Sequence, residues 1–304
     1  MGRKININIL VLHFVFMSSL DVKTISKVYD IFSRKSWVHH LGHYQVHERL
    51  CELLARLQED EKELMLELFD RYDWITLNDY GKYVLEIFEG LRKKSVIPKG
   101  RIYLFPLKSI EDRMTSKSAD TLIYMFQGFI NLLTPPFNQP TAYTIIEGLE
   151  KTVADTFVLK TEDAFFVMDD FLGTGDSLFA VLDEIKQGGK VAVEKIVVLA
   201  LVAHENALER LKKMGIQYSV ALVRKKGITD YYEEPTLSER ISSMKKIERR
   251  ITTNKRLLFG YKKSEGLVTM IRTPNNTFPV FWMSYKVGNF RLDPPFPRFQ
   301  ITKI

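Results

Sequence analysis

The sequence predicts an α/β protein whose core is a doubly wound parallel sheet, and three observations support that fold class. Several segments are continuous apolar runs of strand length, which is typical of strands buried on both faces of a parallel sheet. Short helical patterns alternate with these runs, as in βα units. The chain has 304 residues, 45% hydrophobic and 27% charged, which is the composition of an ordinary globular protein.

The N-terminal segment, residues 1–95, is predicted to be mainly helical. Apolar residues recur at helical spacing over 46–68 and again over 79–91. Both stripes lack the strict alternation of a half-buried strand. We therefore expect this segment to pack as helices beside the sheet.

The first twenty residues, MGRKININILVLHFVFMSSL, combine a basic start with an apolar run and so resemble a secretory signal. Asn6, Asn8 and His13 interrupt the run, which is also too short to span a bilayer. We therefore favour a strand or a packed segment, and expect no membrane partner. Cys51 is the one cysteine of the sequence, which excludes an internal disulfide and indicates a cytoplasmic location.

The α/β core is assigned to residues 96–224. Its first strand, RIYLFPL, follows a break at Pro98 and Gly100, and a helix over 119–133 stops before two prolines. The further predicted elements are strand 156–159, strand 164–168, helix 177–187, strand 195–203, helix 206–214 and strand 218–223.

The C-terminal region, residues 225–304, is predicted to form a basic amphipathic helix and then a hood over the core. The segment 205–264 has fifteen Lys/Arg and seven Asp/Glu, an excess of eight positive charges against +7 for the whole chain. Such a concentrated charge indicates either an anionic partner, such as nucleic acid, or a solvated basic face. Tyr231 and Tyr232 upstream of the helix fit a single-stranded nucleic acid.

The stretch AFFVMDDFLGTGDS, residues 164–177, carries the clearest chemical signal. Asp169 and Asp170 follow the apolar strand, and the loop after them contains Gly173, Thr174 and Gly175. Asp176 and Ser177 then begin a helix. Ligands of open parallel sheets bind beyond the carboxyl ends of the strands, where such a loop presents backbone N–H groups and a helix dipole to a phosphate. Two carboxylates beside it are suited to the hydroxyls of a ribose.

This stretch resembles the phosphoribosyl diphosphate (PRPP) motif of type I phosphoribosyltransferases, which is an apolar strand, two acidic residues, three variable residues and Thr-Gly-x-Ser/Thr. The resemblance implies the same sheet fold and a ribosyl-phosphate ligand. Asp169 and Asp170 would then hold the ribose hydroxyls. Gly173, Thr174, Gly175, Asp176 and Ser177 would surround the 5′-phosphate.

Two residues depart from that pattern. Gly173 stands where purine-type members usually carry an aspartate that assists proton transfer at the base. Asp176 adds a negative charge beside the expected phosphate. If the resemblance holds, this chain therefore has no residue at the motif position that would assist proton transfer to or from the base.

In such enzymes a second loop grips the pyrophosphate and its magnesium ion, and the corresponding stretch here is LKSIEDRMTSKSAD, residues 107–120. Its cationic and hydroxyl groups are suited to a pyrophosphate, although any exposed loop can carry them. Mg²⁺ would be bound through the substrate, with no ligand set of the protein alone. The candidates are Lys108, Arg113, Ser116, Lys117 and Ser118.

The chain as a whole resembles the phosphoribosyltransferase-like proteins of bacterial anti-phage conflict systems, some encoded beside retron reverse transcriptases. YDWIT, DDFLGTGDS and GYKKSEGLVTMIRTPNNTFPVFW carry the resemblance, which covers most of residues 45–285. It implies a defence effector or accessory, with a reverse transcriptase and non-coding RNA complex as a partner through the basic segment 205–264. The two functional hypotheses are a phosphoribosyltransferase-type enzyme and a binding module that has lost the chemistry.

Two other clusters allow alternative functions. His39, His43 and His47 fall on one predicted helical face and suit zinc, but no acidic or cysteine partner accompanies them, so a polar face is favoured. An aromatic cluster near the C terminus suits either stacking on a base or packing onto the core, and packing is favoured. Its members are Phe278, Phe281, Trp282 and Tyr285.

Overall fold

The structure is a computed structural model that describes residues 20–109, 117–139, 142–154, 156–287 and 290–298. The chain forms two compact units. Unit 1 comprises Met1–Trp74 and Lys226–Ile304, and unit 2 comprises Ile75–Lys225. The predictions for the apolar run that contains Asn6, Asn8 and His13 lie outside the described residues.

We number the helices and strands of the described residues in chain order. The α-helices are α1 (Val22–Arg34), α2 (His43–Leu54), α3 (Glu59–Asp70), α4 (Tyr80–Lys93), α5 (Ser118–Phe129), α6 (Glu150–Val153), α7 (Asp176–Gly188), α8 (Glu205–Lys213) and α9 (Thr236–Ile251). The strands are β1 (Asp73–Trp74), β2 (Ile102–Pro106), β3 (Tyr143–Ile145), β4 (Ala164–Leu172), β5 (Ile196–His204), β6 (Gln217–Arg224), β7 (Val268–Thr269), β8 (Tyr285–Val287) and β9 (Phe290–Leu292).

Unit 2 contains a five-stranded sheet in the order β3-β2-β4-β5-β6, and every neighbouring pair is parallel. Numbered along the chain within this sheet, the order is 2-1-3-4-5. That order changes direction between β2 and β4, so the carboxyl ends of those two strands flank the topological switch point, where open α/β sheets bind ligands. Asp169 lies near the carboxyl end of β4 and is paired with Ala200 of β5.

Helices cover both faces of this sheet. On one face Phe165 and Val167 of β4 join a buried cluster with Leu182 of α7 and Leu211 of α8. On the other face the Phe166 ring lies 6.4 Å from the Phe88 ring of α4. Alternate side chains of β4 therefore enter two separate apolar layers, which explains its unbroken apolar sequence. The predicted doubly wound parallel sheet is confirmed.

Two details of the sheet differ from the prediction. Residues 156–159 form no strand, and Val158 in this stretch is 65% exposed, so it lacks the two apolar layers that a central strand requires. The edge strand is instead β3, in the Pro-rich connection that gave no strand pattern. It spans three residues and is only partly buried, so its sequence carries little hydrophobic signal.

Unit 1 contains α1, α2, α3, α9 and a core rich in aromatic rings. Tyr72 lies at its centre, with its ring 4.6 Å from that of Phe281. The Tyr72 hydroxyl shares a hydrogen bond of 2.6 Å with Thr269 Oγ1, and β1 pairs with β7 beside it. These contacts join the YDWIT segment to the GLVTM segment. Phe278 and Phe281 are fully buried, which agrees with the packing interpretation of the aromatic cluster.

None of the helices in the described part of the chain combines the length and the apolar character needed to cross a membrane.

Candidate functional site

Strand β4 extends further than its apolar run, through both aspartates to Leu172. Asp169 pairs with Ala200 and Phe171 with Val202, so the carboxylate pair lies within the ladder rather than in a loop after it. This position fixes the backbone of both aspartates. The carboxylates are therefore attached to a strand that is paired on both sides, at the switch-point edge.

The two carboxylates have different surroundings. Asp170 is 5% exposed, and its Oδ2 accepts a hydrogen bond of 2.9 Å from the hydroxyl of Tyr80 in α4. Asp169 keeps some accessible surface, and its Oδ1 accepts a bond of 2.9 Å from the backbone N–H of Asp170. Burial, together with the charge and hydrogen bonding of Asp170, raises the pKa of Asp169 well above its ordinary value, and the charge of Lys117 opposes this. The pair therefore retains a proton that a lone surface aspartate would release.

The loop after β4 is shaped by Gly175. Its φ of +78° lies in the left-handed region, and a Cβ at this position would lie 2.6 Å from the Phe179 ring. Gly175 precedes the first residue of α7, and no side chain caps that end of the helix. The first turn of α7 therefore offers backbone N–H groups and a positive dipole end.

Arg210 of α8 is a member of this site that the motif did not reveal. Its guanidinium donates a bond of 2.9 Å to the carbonyl oxygen of Thr174 and lies 3.6 Å from the Asp176 carboxylate. It also sits over the Phe179 ring, 3.7 Å from the centroid. The Thr174 hydroxyl donates to Asp176 at 2.9 Å. The negative charge of Asp176 is thus partly balanced by Arg210, which lessens the unfavourable effect that the sequence predicted for it.

The predicted pyrophosphate loop follows β2 and is only partly described. Lys108 forms an ion pair of 2.8 Å with Asp120, and its side chain is 10% exposed. Asp120 also accepts the backbone N–H of Lys117 at 2.8 Å. Lys117 itself is exposed, and Ser118 is the first residue of α5. Arg113 and Ser116 lie outside the described residues, so their predicted roles stay predictions.

The histidines of the N-terminal segment do not form a ligand set in the described residues. His43 Nδ1 lies 3.0 Å from the carbonyl oxygen of His40, and His47 Nδ1 lies 3.9 Å from the sulfur of Cys51. Across the described residues, no group of three or more His, Cys, Asp or Glu side chains is suited to hold a metal ion.

The basic helix predicted in the C-terminal region is α9, and part of its charge is neutralised within unit 1. Arg240 pairs with Glu63 at 3.2 Å and with Glu67 at 2.8 Å, and Arg250 pairs with Glu61 at 2.7 Å. These acidic partners belong to α3, against which α9 packs. The cationic side chains of α9 that remain exposed without an ion pair in the described residues are Lys245, Lys246 and Arg249.

The sheet order, the carboxylate pair at the switch point and the glycine loop define a phosphoribosyltransferase-like α/β protein. A family model described as PRTase-CE matches residues 56–298, and the chain belongs to this family. Comparison with curated proteins gives no match. Among solved structures, the chain is similar to the AQ2163 protein from Aquifex aeolicus, at 13% identity and a TM-score of 0.28, over 61% of this chain and 86% of that one.

Proposed function

We propose that this protein binds PRPP or a related ribosyl 5′-phosphate at the switch-point edge of unit 2. The observation that carries the proposal is the position of Asp169 and Asp170, adjacent to an uncapped helix start that the Gly173-Thr174-Gly175 loop opens. A carboxylate pair next to an anion-binding helix end suits a ligand that has both vicinal hydroxyls and a phosphate.

The 5′-phosphate is assigned to residues 174–177. Backbone N–H groups of the first turn of α7 and the Ser177 hydroxyl donate to its oxygens. The Thr174 hydroxyl would join them by exchanging its bond to Asp176 for one to the phosphate. Arg210, which already contacts the Thr174 carbonyl, contributes a positive charge at the loop. Together these donors replace the hydration of a phosphate at a position where the dipole of α7 also favours it.

The ribose hydroxyls are assigned to the carboxylates, and Asp169 is the more accessible of the two. A hydroxyl donates most strongly to an ionised carboxylate, so ligand binding favours the ionised form of Asp169 and releases its proton to solvent. The hydroxyl of Tyr80 holds the side chain of Asp170 in place. The backbone N–H of Asp170 in turn donates a hydrogen bond to the carboxylate of Asp169.

Magnesium would enter this site as an ion carried by the substrate, because phosphate oxygens together with one or two carboxylates are its usual ligands in phosphate-binding sites. When bound, the ion supplies positive charge that neutralises a pyrophosphate group. Lys108 and Lys117 are the protein's own cations at this edge, and they position the pyrophosphate. Lys108 would do so by exchanging its contact with Asp120 for one with phosphate oxygens.

A catalytically inactive nucleotide sensor or scaffold is the second candidate, and Gly173 favours it. In the position where purine-type transferases carry a proton-transfer aspartate, this chain has no side chain. Binding of a ribosyl phosphate does not need that group, whereas transfer to a base does. For either candidate, we propose a role in bacterial anti-phage defence, as effector or as subunit of a ribonucleoprotein complex with a reverse transcriptase, on the resemblance of the three motifs quoted above.

Incubation of the purified protein with PRPP and Mg²⁺ separates the two candidates. An enzyme releases pyrophosphate, and mass spectrometry detects ribose 5-phosphate or a ribosylated acceptor. A sensor retains intact PRPP that is released on denaturation. The Asp169→Asn variant should lose either signal. Intact, unbound PRPP with the wild-type protein would contradict both candidates.

A further inference from the structure

Unit 1 contains a cleft of about 790 Å³ that the proposed ribosyl-phosphate site does not use. It is lined by residues between 41 and 49, by Trp74, by residues 269–273 and by residues 295–298. Its volume is in the range of pockets that hold small ligands. The cleft therefore has room for a molecule the size of a nucleotide.

Three arginines line this cleft: Arg49, Arg272 and Arg298. None of the lining residues that the structure describes is acidic, and none of the three forms an ion pair within the described chain. The unit 1 segments outside the described residues contain no Asp or Glu in the sequence. Burial and the nearby charge of Arg272 lower the pKa of Arg298. The cleft thus concentrates positive charge that no ion pair among the described residues balances, and an anion would relieve the repulsion.

The rest of the lining is aromatic and apolar. Trp74 and Phe296 lie with ring centroids 5.3 Å apart in an edge-to-face arrangement. Leu41 is 97% exposed and Ile271 51% exposed, and both line the cleft. Exposed apolar side chains beside a group of arginines suit a ligand with a flat apolar part and an anionic part.

We infer that this cleft binds a nucleotide, with the phosphate on the arginines and the base against Trp74 and the apolar side chains. Planar guanidinium groups match phosphate oxygens in a bidentate manner, and an indole ring is a good stacking surface for a base. A free nucleotide and the 5′-phosphorylated end of a single-stranded nucleic acid share this chemistry. The site is distinct in composition from the carboxylate pair of unit 2, which suits the ribose instead.

Calorimetric titration of the full chain tests the inference with AMP, GMP, CMP and UMP, each in turn. Adenosine, inorganic phosphate and a short 5′-phosphorylated oligoadenylate are the comparison probes. We expect at least one nucleotide to bind with a Kd below about 1 mM, and adenosine and phosphate alone to bind at least about tenfold more weakly. A tighter Kd for the oligoadenylate than for AMP identifies a nucleic-acid end as the ligand. An equal or weaker Kd identifies the free nucleotide.

Two charge-matched variants locate the binding. Arg272→Gln with Arg298→Gln should weaken nucleotide binding by about tenfold or more, because two phosphate contacts are lost. Lys23→Gln with Lys27→Gln removes the same charge from exposed positions of α1, outside the cleft, and should change the Kd by less than about twofold. Thermal melting checks that both fold. Equal weakening in the two variants, or no nucleotide binding in the wild type, would overturn the inference.

The Asp169→Asn, Asp170→Asn variant separates this inference from the proposed function. Nucleotide binding in unit 1 should survive in that variant, with an unchanged Kd. If binding disappears there and is unaffected by Arg272→Gln with Arg298→Gln, the nucleotide occupies only the switch-point site. That result would reject the unit 1 site while leaving the proposed function intact.

Discussion

The hydroxyl of Tyr80, at the start of α4, donates a hydrogen bond of 2.9 Å to Asp170 in the interior of unit 2. Both side chains are buried, so the bond satisfies a carboxylate with little access to water. It ties the helix before the sheet to the strand that carries the candidate site. Asp170 is thus positioned by a residue ninety places earlier in the chain.

Tyr80→Phe should lower the free energy of unfolding by about 1–3 kcal/mol, because it leaves a buried acceptor short of a donor. Urea unfolding measures the change. Tyr124→Phe is the matched control, since Tyr124 is 77% exposed and makes no hydrogen bond in the described residues. Equal stability of the two variants would show that the Tyr80 bond contributes nothing.

Gly175→Ala should disturb the phosphate loop. Alanine is strained at φ +78°, and its Cβ would displace the Phe179 ring on which Arg210 rests. Gly189→Ala is the control at the other end of the same helix, where φ is +67° and no atom lies within 4 Å. Both variants should lose about 1 kcal/mol from the positive φ. Only Gly175→Ala should also weaken PRPP binding, by about tenfold, as measured by calorimetry; equal PRPP affinity in both variants would contradict the role of the loop.

Glu248 makes the stability of unit 1 depend on pH. It is fully buried, its Oε2 accepts the Phe259 N–H at 2.6 Å, and its Oε1 has no partner in the described residues. Burial, reinforced by the charge of Glu265, raises the pKa of Glu248 from 4.5 to about 8. The folded protein therefore keeps a proton that the unfolded chain releases above pH 4.5, so stability falls as the pH rises from 4.5 to about 8.

Glu248→Gln should remove that dependence, because glutamine imitates the neutral acid. Relative to the wild type, its free energy of unfolding should rise by on the order of 4 kcal/mol across this pH range. Urea unfolding at several pH values measures the difference. Glu239→Gln, exposed on the same helix, is the control and should follow the wild type. A parallel pH profile for Glu248→Gln would show that Glu248 ionises normally.

The exposed face of α9 should give any nucleic-acid binding a steep salt dependence. Replacing Lys245, Lys246 and Arg249 with serine should lower the slope of log K against log salt for single-stranded RNA by up to about 2, at roughly 0.7 per phosphate contact. Arg250→Ser is the contrasting variant, since it breaks the pair with Glu61 and should reduce stability rather than the slope. An unchanged slope in the triple variant would leave α9 as a solvated basic face.

The fold was predictable where the hydrophobic pattern is strong. The side chains of β4 and β5 are buried on both faces of the sheet, so their sequences are continuous apolar runs that predict a parallel sheet. The same pattern predicted that Asp169 lies at the carboxyl edge of that sheet. Strand β3 was missed because three partly buried residues carry no such pattern. The apolar residues within 156–159 predicted a strand that the structure does not contain.

Parts of the site that depend on distant packing were not predictable. Tyr80 and Arg210 lie on helices whose apolar stripes predict which face of each helix is buried. The stripes do not predict that Tyr80 contacts Asp170 or that Arg210 contacts the loop after β4. The unit 1 cleft combines residues from four separate segments of the chain, and no sequence motif connects its three arginines. A motif reveals residues that are adjacent in sequence, and here it revealed 169–177 only.

Calorimetric titration of PRPP with Mg²⁺, paired with thermal melting, tests the central claim most directly. Wild-type protein should bind PRPP, and the Asp169→Asn, Asp170→Asn variant should melt close to the wild type yet bind at least about tenfold more weakly, since hydrogen bonds to charged acceptors contribute about 1.5–3 kcal/mol each. A wild-type protein that binds neither PRPP nor ribose 5-phosphate would contradict the account.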